Sequence, residues 1–182
     1  MGTSNKSKSS HISDQSFDYA FSKGNWKTAR EIIERQLKND PDNHYLLANL
    51  STTYYEEREY EKAYELIRDA FVIEPDCPLV LWNLAGSLEA IDRKDEAIVI
   101  WQELVNRGVK KVASGRCNEG IDWAKSLLAD SKYRLGQAYE GLHEKEFAVK
   151  YLEEYLVDIG NGVNSIYGPN KAKEKLVVLK AV

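Results

Sequence analysis

HYLLANLSTTYYEEREYEKAYELIRDAFVIEPDC, residues 44–77, is the stretch that decides how this chain folds. Leu47, Leu50 and Tyr54 recur at helical spacing, and Ala63, Leu66, Ile67 and Ala70 do so again beyond the polar turn Glu57-Arg58-Glu59. Pro75 closes the second helix, because proline donates no N–H and cannot continue the turn. Two short helices, each with one apolar face, demand neighbours of the same kind. Those neighbours show as a ladder: Ala29, Ala63 and Ala97 stand 34 residues apart, and Ala148 follows after 51, which is one and a half periods. A period of this length marks helix–turn–helix units stacked into a solenoid, with a small residue wherever paired helices cross closely.

Working outward, the unit at 78–111 keeps Leu81, Leu84, Ala85, Leu88, Ala97, Trp101 and Leu104, with Val109 where a closing proline is expected. The unit at about 10–43 keeps Gly24, Trp26, Ala29, Ile33, Leu37 and Pro41, but its first helix carries Ser16 and Phe17 in place of a leucine and a small residue. The unit at 129–162 has Leu135-Gly136, Tyr139, Ala148, Leu152 and Leu156, and ends at Gly160. Residues 112–128 are an insertion: a loop, then an N-terminal extension of the next helix that starts near Asn118 or Gly120. Pro169, Ala172, Leu176 and Leu179 mark a last helix over 170–181 that caps the open end of the stack. Helices are expected near 13–23, 26–39, 44–57, 60–73, 78–91, 94–107, 119–141, 144–159 and 170–181, and no strand. The fold class is all-α, with one domain over 13–182 and a disordered N-terminal segment or added leader over 1–12.

Leu50, Ser51, Tyr54, Tyr60, Ala63, Ile67, Ala70 and Pro75 stand at the signature places of the tetratricopeptide repeat, which the chain resembles over about residues 13–162. The resemblance implies a right-handed α-solenoid of about four units plus the capping helix. It also implies a protein-interaction module, an adaptor, scaffold or chaperone-like protein, whose first helices line a groove for a peptide of a partner protein. The groove positions carried over are Asp14, Asp18 and Phe21 in the first unit, and Tyr45, Asn49, Thr52 and Tyr55 in the second. Leu79, Trp82 and Asn83 follow in the third, and Asp130, Tyr133, Arg134 and Gln137 in the fourth.

An asparagine amide both donates and accepts, so Asn49 and Asn83 can grip an extended peptide backbone, or else hydrogen-bond between neighbouring helices. Trp82, Tyr45 and Tyr133 are the aromatic anchors, Trp82 facing the groove or packing beneath the insertion or tail. Trp26, Trp101 and Trp123 read as core. A chaperone-tail carboxylate clamp, as in some relatives of the repeat family, is excluded: Asp14, Asp18, Asn49, Leu79 and Asn83 stand at its positions, and the two carboxylates would repel the ligand.

Other classes are poorly supported. No nucleophile elbow, phosphate loop or HExxH motif occurs, so the chain does not read as an enzyme and no cofactor or small-molecule substrate is expected. A net charge of −4 offers no general affinity for nucleic acid; the basic run Arg107, Lys110, Lys111 and Arg116 is a secondary anion site or a solvated loop. Cys77 and Cys117 read as reduced thiols, and His11, His44 and His143 have no ligand-like spacing to them, so no metal is expected. With neither a bilayer-length apolar run nor a secretory leader, a cytoplasmic location and no membrane partner are expected; self-association through the ends of the stack stays open.

Overall fold

A computed structural model describes residues 15–115, 117 and 119–181. The expected leader at 1–12, Asp14, and the residues Arg116 and Asn118 lie outside them. The described residues form nine helices and no strand: α1 Gln15–Ser22, α2 Trp26–Leu37, α3 His44–Glu56, α4 Tyr60–Ile73, α5 Pro78–Ala90, α6 Lys94–Ala113, α7 Ile121–Gly141, α8 Lys145–Gly160 and α9 Pro169–Ala181. Consecutive helices pack on one another along the chain, and α3 also packs on α5, so the first helices of the second and third units lie side by side.

Ala29, Ala63, Ala97 and Ala148 are all fully buried at the crossings within each pair. A second ladder answers them from the first helices, where Ser51, Ala85 and Gly136 are spaced by the same 34 and 51 residues. Ser51 Oγ donates to the carbonyl of Ala63 at 2.9 Å across the pair. A Cβ on Gly136 would stand 2.6 Å from Leu152 Cγ, so only glycine admits this approach of α7 to α8. In the first unit Phe17 takes the small residue's place; it is buried against Phe21, 5.3 Å between ring centroids, and Phe21 meets Trp26 edge-on at 5.1 Å.

The turns inside the units repeat with the same spacing. Gly24, Arg58, Asp92 and His143 adopt left-handed backbone, with φ of 65°, 65°, 64° and 61°. Each is followed by an N–H that reaches back five residues to a carbonyl: Asn25 to Ala20, Glu59 to Tyr54, Arg93 to Leu88 and Glu144 to Tyr139, at 2.8–2.9 Å. This closure satisfies the last carbonyls of each first helix and reverses the chain. Three of the four residues carry a Cβ in a region that disfavours one.

The insertion departs from the expected outline. The span of α6 holds two helical segments: the first ends at Arg107 as expected, Gly108 at φ 71° and ψ 165° breaks the backbone, and a second short segment runs on to Ala113. Burial of Val112 and Ala113 in the central core holds that second segment against the stack. Residues 109–113 are therefore helical where a basic loop was expected. α7 is extended as expected, and Ala124, Leu127 and Leu128 of its added turns join the same core. At the far end, Ala172 and Leu176 of α9 bury against Ala129, Tyr133, Leu152 and Tyr155.

Replacing Arg58 with glycine relieves a Cβ from left-handed backbone. Arg58→Gly is expected to stabilise the protein by about 1 kcal/mol, a gain of about 3 °C in melting temperature by differential scanning calorimetry. An unchanged or lowered melting temperature would contradict this account of the turn.

Candidate functional site

The face built by α3, α5 and α7 carries most of the expected groove residues, and their side chains divide into structural and available ones. Asn83 Nδ2 donates to the Ala48 carbonyl at 3.1 Å and to Thr52 Oγ1 at 2.9 Å, stitching α5 to α3. Thr52 Oγ1 passes its own proton to the same carbonyl at 3.1 Å. Asn49 Nδ2 bonds within its helix to the Tyr45 carbonyl at 3.0 Å. The interhelical role thus falls to Asn83 and not to Asn49. Leu79 packs on the central core, as does the ring of Tyr45, whose hydroxyl burial pushes to about 12. Tyr55 meets Tyr60 at 5.3 Å.

Tyr133 is a correction. It is only 2% exposed, stacked on Tyr167 at 4.3 Å between centroids and tilted against Tyr155 at 5.1 Å. The cover is the connection between α8 and α9, residues 161–168, which folds back onto this face. Its anchor is Asp130, buried at the groove wall, whose carboxylate accepts from Ser165 Oγ. Ser165 Oγ in turn accepts from the Tyr167 N–H at 2.9 Å, and the Tyr155 hydroxyl donates to the Tyr167 carbonyl at 2.5 Å. Burial raises the Asp130 carboxyl to about 6, against the lowering effect of Ser165 and the Ile166 backbone.

Between this connection and the helices lies a cavity of about 130 Å³, lined by Thr52, Tyr55, Trp82, Asn83, Arg134 and Tyr167 among others. Trp82 is half-buried at its wall and also packs against the central core. Arg134 lies over the Trp101 ring at 5.1 Å and pairs with Glu89 of α5. Ser87 and Trp101 also border the space, but Ser87 Oγ and Trp101 Nε1 are themselves buried, with no hydrogen-bond partner among the described residues. Arg134 is already neutralised by Glu89, and Glu56 also borders the space. An uncharged group suits it better than a carboxylate. Gln137 lies outside this cavity, on the open trough between α7 and α9 beside Lys171.

Among the described residues of the expected basic cluster, Arg107, Lys110 and Lys111 do not converge, and Arg116 lies outside them. Arg107 donates to the Asp76 carbonyl at 2.8 Å and pairs with Asp76 and Glu103, leaving its side chain 10% exposed, while Lys110 and Lys111 point to solvent from the kinked end of α6. What the sequence spacing separates, the fold joins elsewhere: His44, Cys77 and Cys117 meet, with the two sulfurs 2.6 Å apart. Among the described residues, no helix is long and apolar enough to cross a membrane.

Paired helices closed by left-handed turns and small-residue ladders at the crossings define the fold: an all-α right-handed solenoid of the tetratricopeptide-repeat type. Its residues 21–104 match the family model of anaphase-promoting complex, cyclosome, subunit 3. Two solved structures, "Crystal structure of MamA" and "Crystal structure of MamA protein", are similar in fold. The first superposes with a TM-score of 0.60 at 19% identity, over 93% of this chain and 95% of that one. The second gives 0.58 at 20% identity, over 91% and 85%.

The raised Asp130 carboxyl gives the connection a pH signature. Its protonated form is favoured in the folded state, so its contribution is fully present below about pH 4 and is lost as pH rises through about 6. Wild type is therefore expected to lose stability relative to Asp130→Asn between pH 4 and pH 7.5, by up to about 3 kcal/mol, in paired thermal melts. A difference independent of pH would mean that Asp130 is not the titrating anchor.

Proposed function

We propose that the protein is a non-enzymatic interaction module that receives an extended segment of a partner protein along the α3, α5 and α7 face. The observation that carries this reading is the cavity of about 130 Å³ on this face, walled by Trp82, Asn83 and Arg134. A side chain of the partner packs on Trp82. The tetratricopeptide-repeat fold supports the general role, since an array of stacked helices offers a long surface and no enclosed reaction centre. Asn83 and Thr52 hold the face in shape, and Asn49 and Tyr45 extend it toward the start of α3. A cytoplasmic adaptor or scaffold is the setting that fits such a module.

Trp82→Ala tests the groove without cutting the Asn83 stitch. Partner proteins recovered on the immobilised full chain are identified and their affinities measured by titration calorimetry. Trp82→Ala is expected to weaken binding about 30-fold or more, with circular dichroism unchanged. Val72→Glu, on the exposed surface of α4, is the control and leaves affinity as it was. Equal affinity for wild type and Trp82→Ala would remove the groove from the account.

A second reading, self-association, is favoured by one observation: Val177 and Val178 of α9 are 70% and 63% exposed at the C-terminal end of the stack. If α9 is a contact between copies, sedimentation velocity shows a concentration-dependent species that Val177→Lys abolishes. A monomer at every concentration would dismiss it.

A further inference from the structure

Three elements distant in sequence converge at one end of the groove face. His44 is the first residue of α3, Cys77 is the cap residue before Pro78 of α5, and Cys117 lies on the connection between α6 and α7. The Cys77 and Cys117 sulfurs are 2.6 Å apart, and His44 Nε2 is 3.4 Å from Cys117 Sγ. Both cysteines are buried and neither is in a disulfide. The approach is built into the connection, because Gly115 lies so close to Pro78 that a Cβ there would stand 3.1 Å from its Cδ.

The two sulfurs are not equivalent. Cys77 stands one repeat beyond Asn43, whose side chain caps α3 by accepting from the N–H groups of Tyr45 and Leu46. A thiolate at the same place before α5 faces that helix's positive end. The Cys117 thiol, then His44 and the Val80 N–H, hold Cys77 well below the ordinary thiol range, against the opposing effect of burial. The same sulfur contact, burial and the nearby Glu119 and Glu74 carboxylates push Cys117 the other way. Ionisation of the pair is thus favoured at Cys77 over Cys117.

A shared metal fits less well. Two thiolates on a tetrahedral zinc, each at about 2.3 Å from the metal, stand about 3.8 Å apart, so these sulfurs would have to separate by more than an ångström. A disulfide needs them only about half an ångström closer.

We propose that Cys77 and Cys117 are a peroxide-oxidised dithiol, with Cys77 as the attacking sulfur, Cys117 as the resolving sulfur and His44 as the proton carrier. The Cys77 thiolate attacks one oxygen of hydrogen peroxide, the O–O bond breaks, and hydroxide leaves to take up the proton that Cys77 released on ionising. Cys77 is then a sulfenic acid. Cys117 gives its proton to His44 Nε2, its sulfur attacks Cys77, the S–S bond forms and the S–O bond breaks. The departing hydroxide takes the proton from His44. Two thiols and one peroxide become one disulfide and two waters; the sulfurs lose two electrons and the peroxide oxygens gain them. A small oxidant suits the site, because both sulfurs are buried. The product ties the start of α5 to the inserted connection and does not depend on the groove reading above.

The test uses the reduced full-length chain, treated with hydrogen peroxide, alkylated and mapped by mass spectrometry. A peptide pair linked through Cys77 and Cys117 is expected, reversed by dithiothreitol, with a melting temperature raised by about 5 °C or more in the oxidised form. Cys117→Ser is expected to trap sulfenic acid at position 77, detectable with dimedone, and Cys77→Ser to give none at position 117. His44→Gln is expected to slow bond formation about tenfold and let the Cys77 sulfenic acid accumulate. The proposal is overturned if folded wild type forms no such link at a peroxide dose that oxidises a control thiol. It is equally overturned if the purified protein holds one equivalent of zinc that Cys77→Ser removes and that blocks the oxidation. The wild-type mapping alone decides the matter should a variant fail to fold.

Discussion

Everything in this solenoid follows from how closely the two helices of each unit approach. Helix axes pack at roughly 8–10 Å depending on the side chains between them, and the near end of that range requires almost no side chain at the crossing. Here the requirement is met from both sides, by the buried alanines of the second helices and by Ser51, Ala85 and Gly136 of the first. The Gly136 contact with Leu152 shows how little room is left. Close pairs leave the larger apolar residues, Trp101 and Leu104 among them, to fill the space between units. The groove face is the remainder: the side of α3, α5 and α7 that neither packing needs.

That division explains which parts could be read from the chain. Pair crossings and turn positions repeat at fixed spacing, so the period of Ala29, Ala63 and Ala97 exposed them directly, and the step to Ala148 located the insertion. The left-handed turns are visible in the same rhythm once sought, although Arg58, Asp92 and His143 are not residue types that announce such backbone. The short helical segment beyond the Gly108 break was hidden, because a glycine and a missing proline say nothing about whether Val112 finds a core to enter.

The groove was legible in outline only. Asn83 and Trp82 were found by register, but the choice between stitching helices and facing a ligand rests on the Ala48 carbonyl and Thr52, which no local pattern reveals. Tyr133 was misjudged for the same reason: its cover comes from a connection more than 30 residues further along, pinned by Asp130 and Ser165. That Ser87 Oγ and Trp101 Nε1 find no hydrogen-bond partner among the described residues is likewise a product of tertiary packing. The meeting of His44, Cys77 and Cys117 had one sequence clue, a cysteine in the capping place that asparagine fills one repeat earlier.

The Tyr167 stack on Tyr133 gives the groove a competitor that never diffuses away. A tether of a few residues holds its tip at an effective concentration in the millimolar range, and any ligand that needs the Tyr133 surface must outcompete it. The observed affinity for such a ligand is then the intrinsic affinity scaled by the fraction of molecules with the connection lifted. Residence times shorten accordingly, because the displaced ring is always at hand to retake its place. Because Trp82 and Tyr167 line one cavity, a partner segment bound as proposed above would meet this connection wherever it entered.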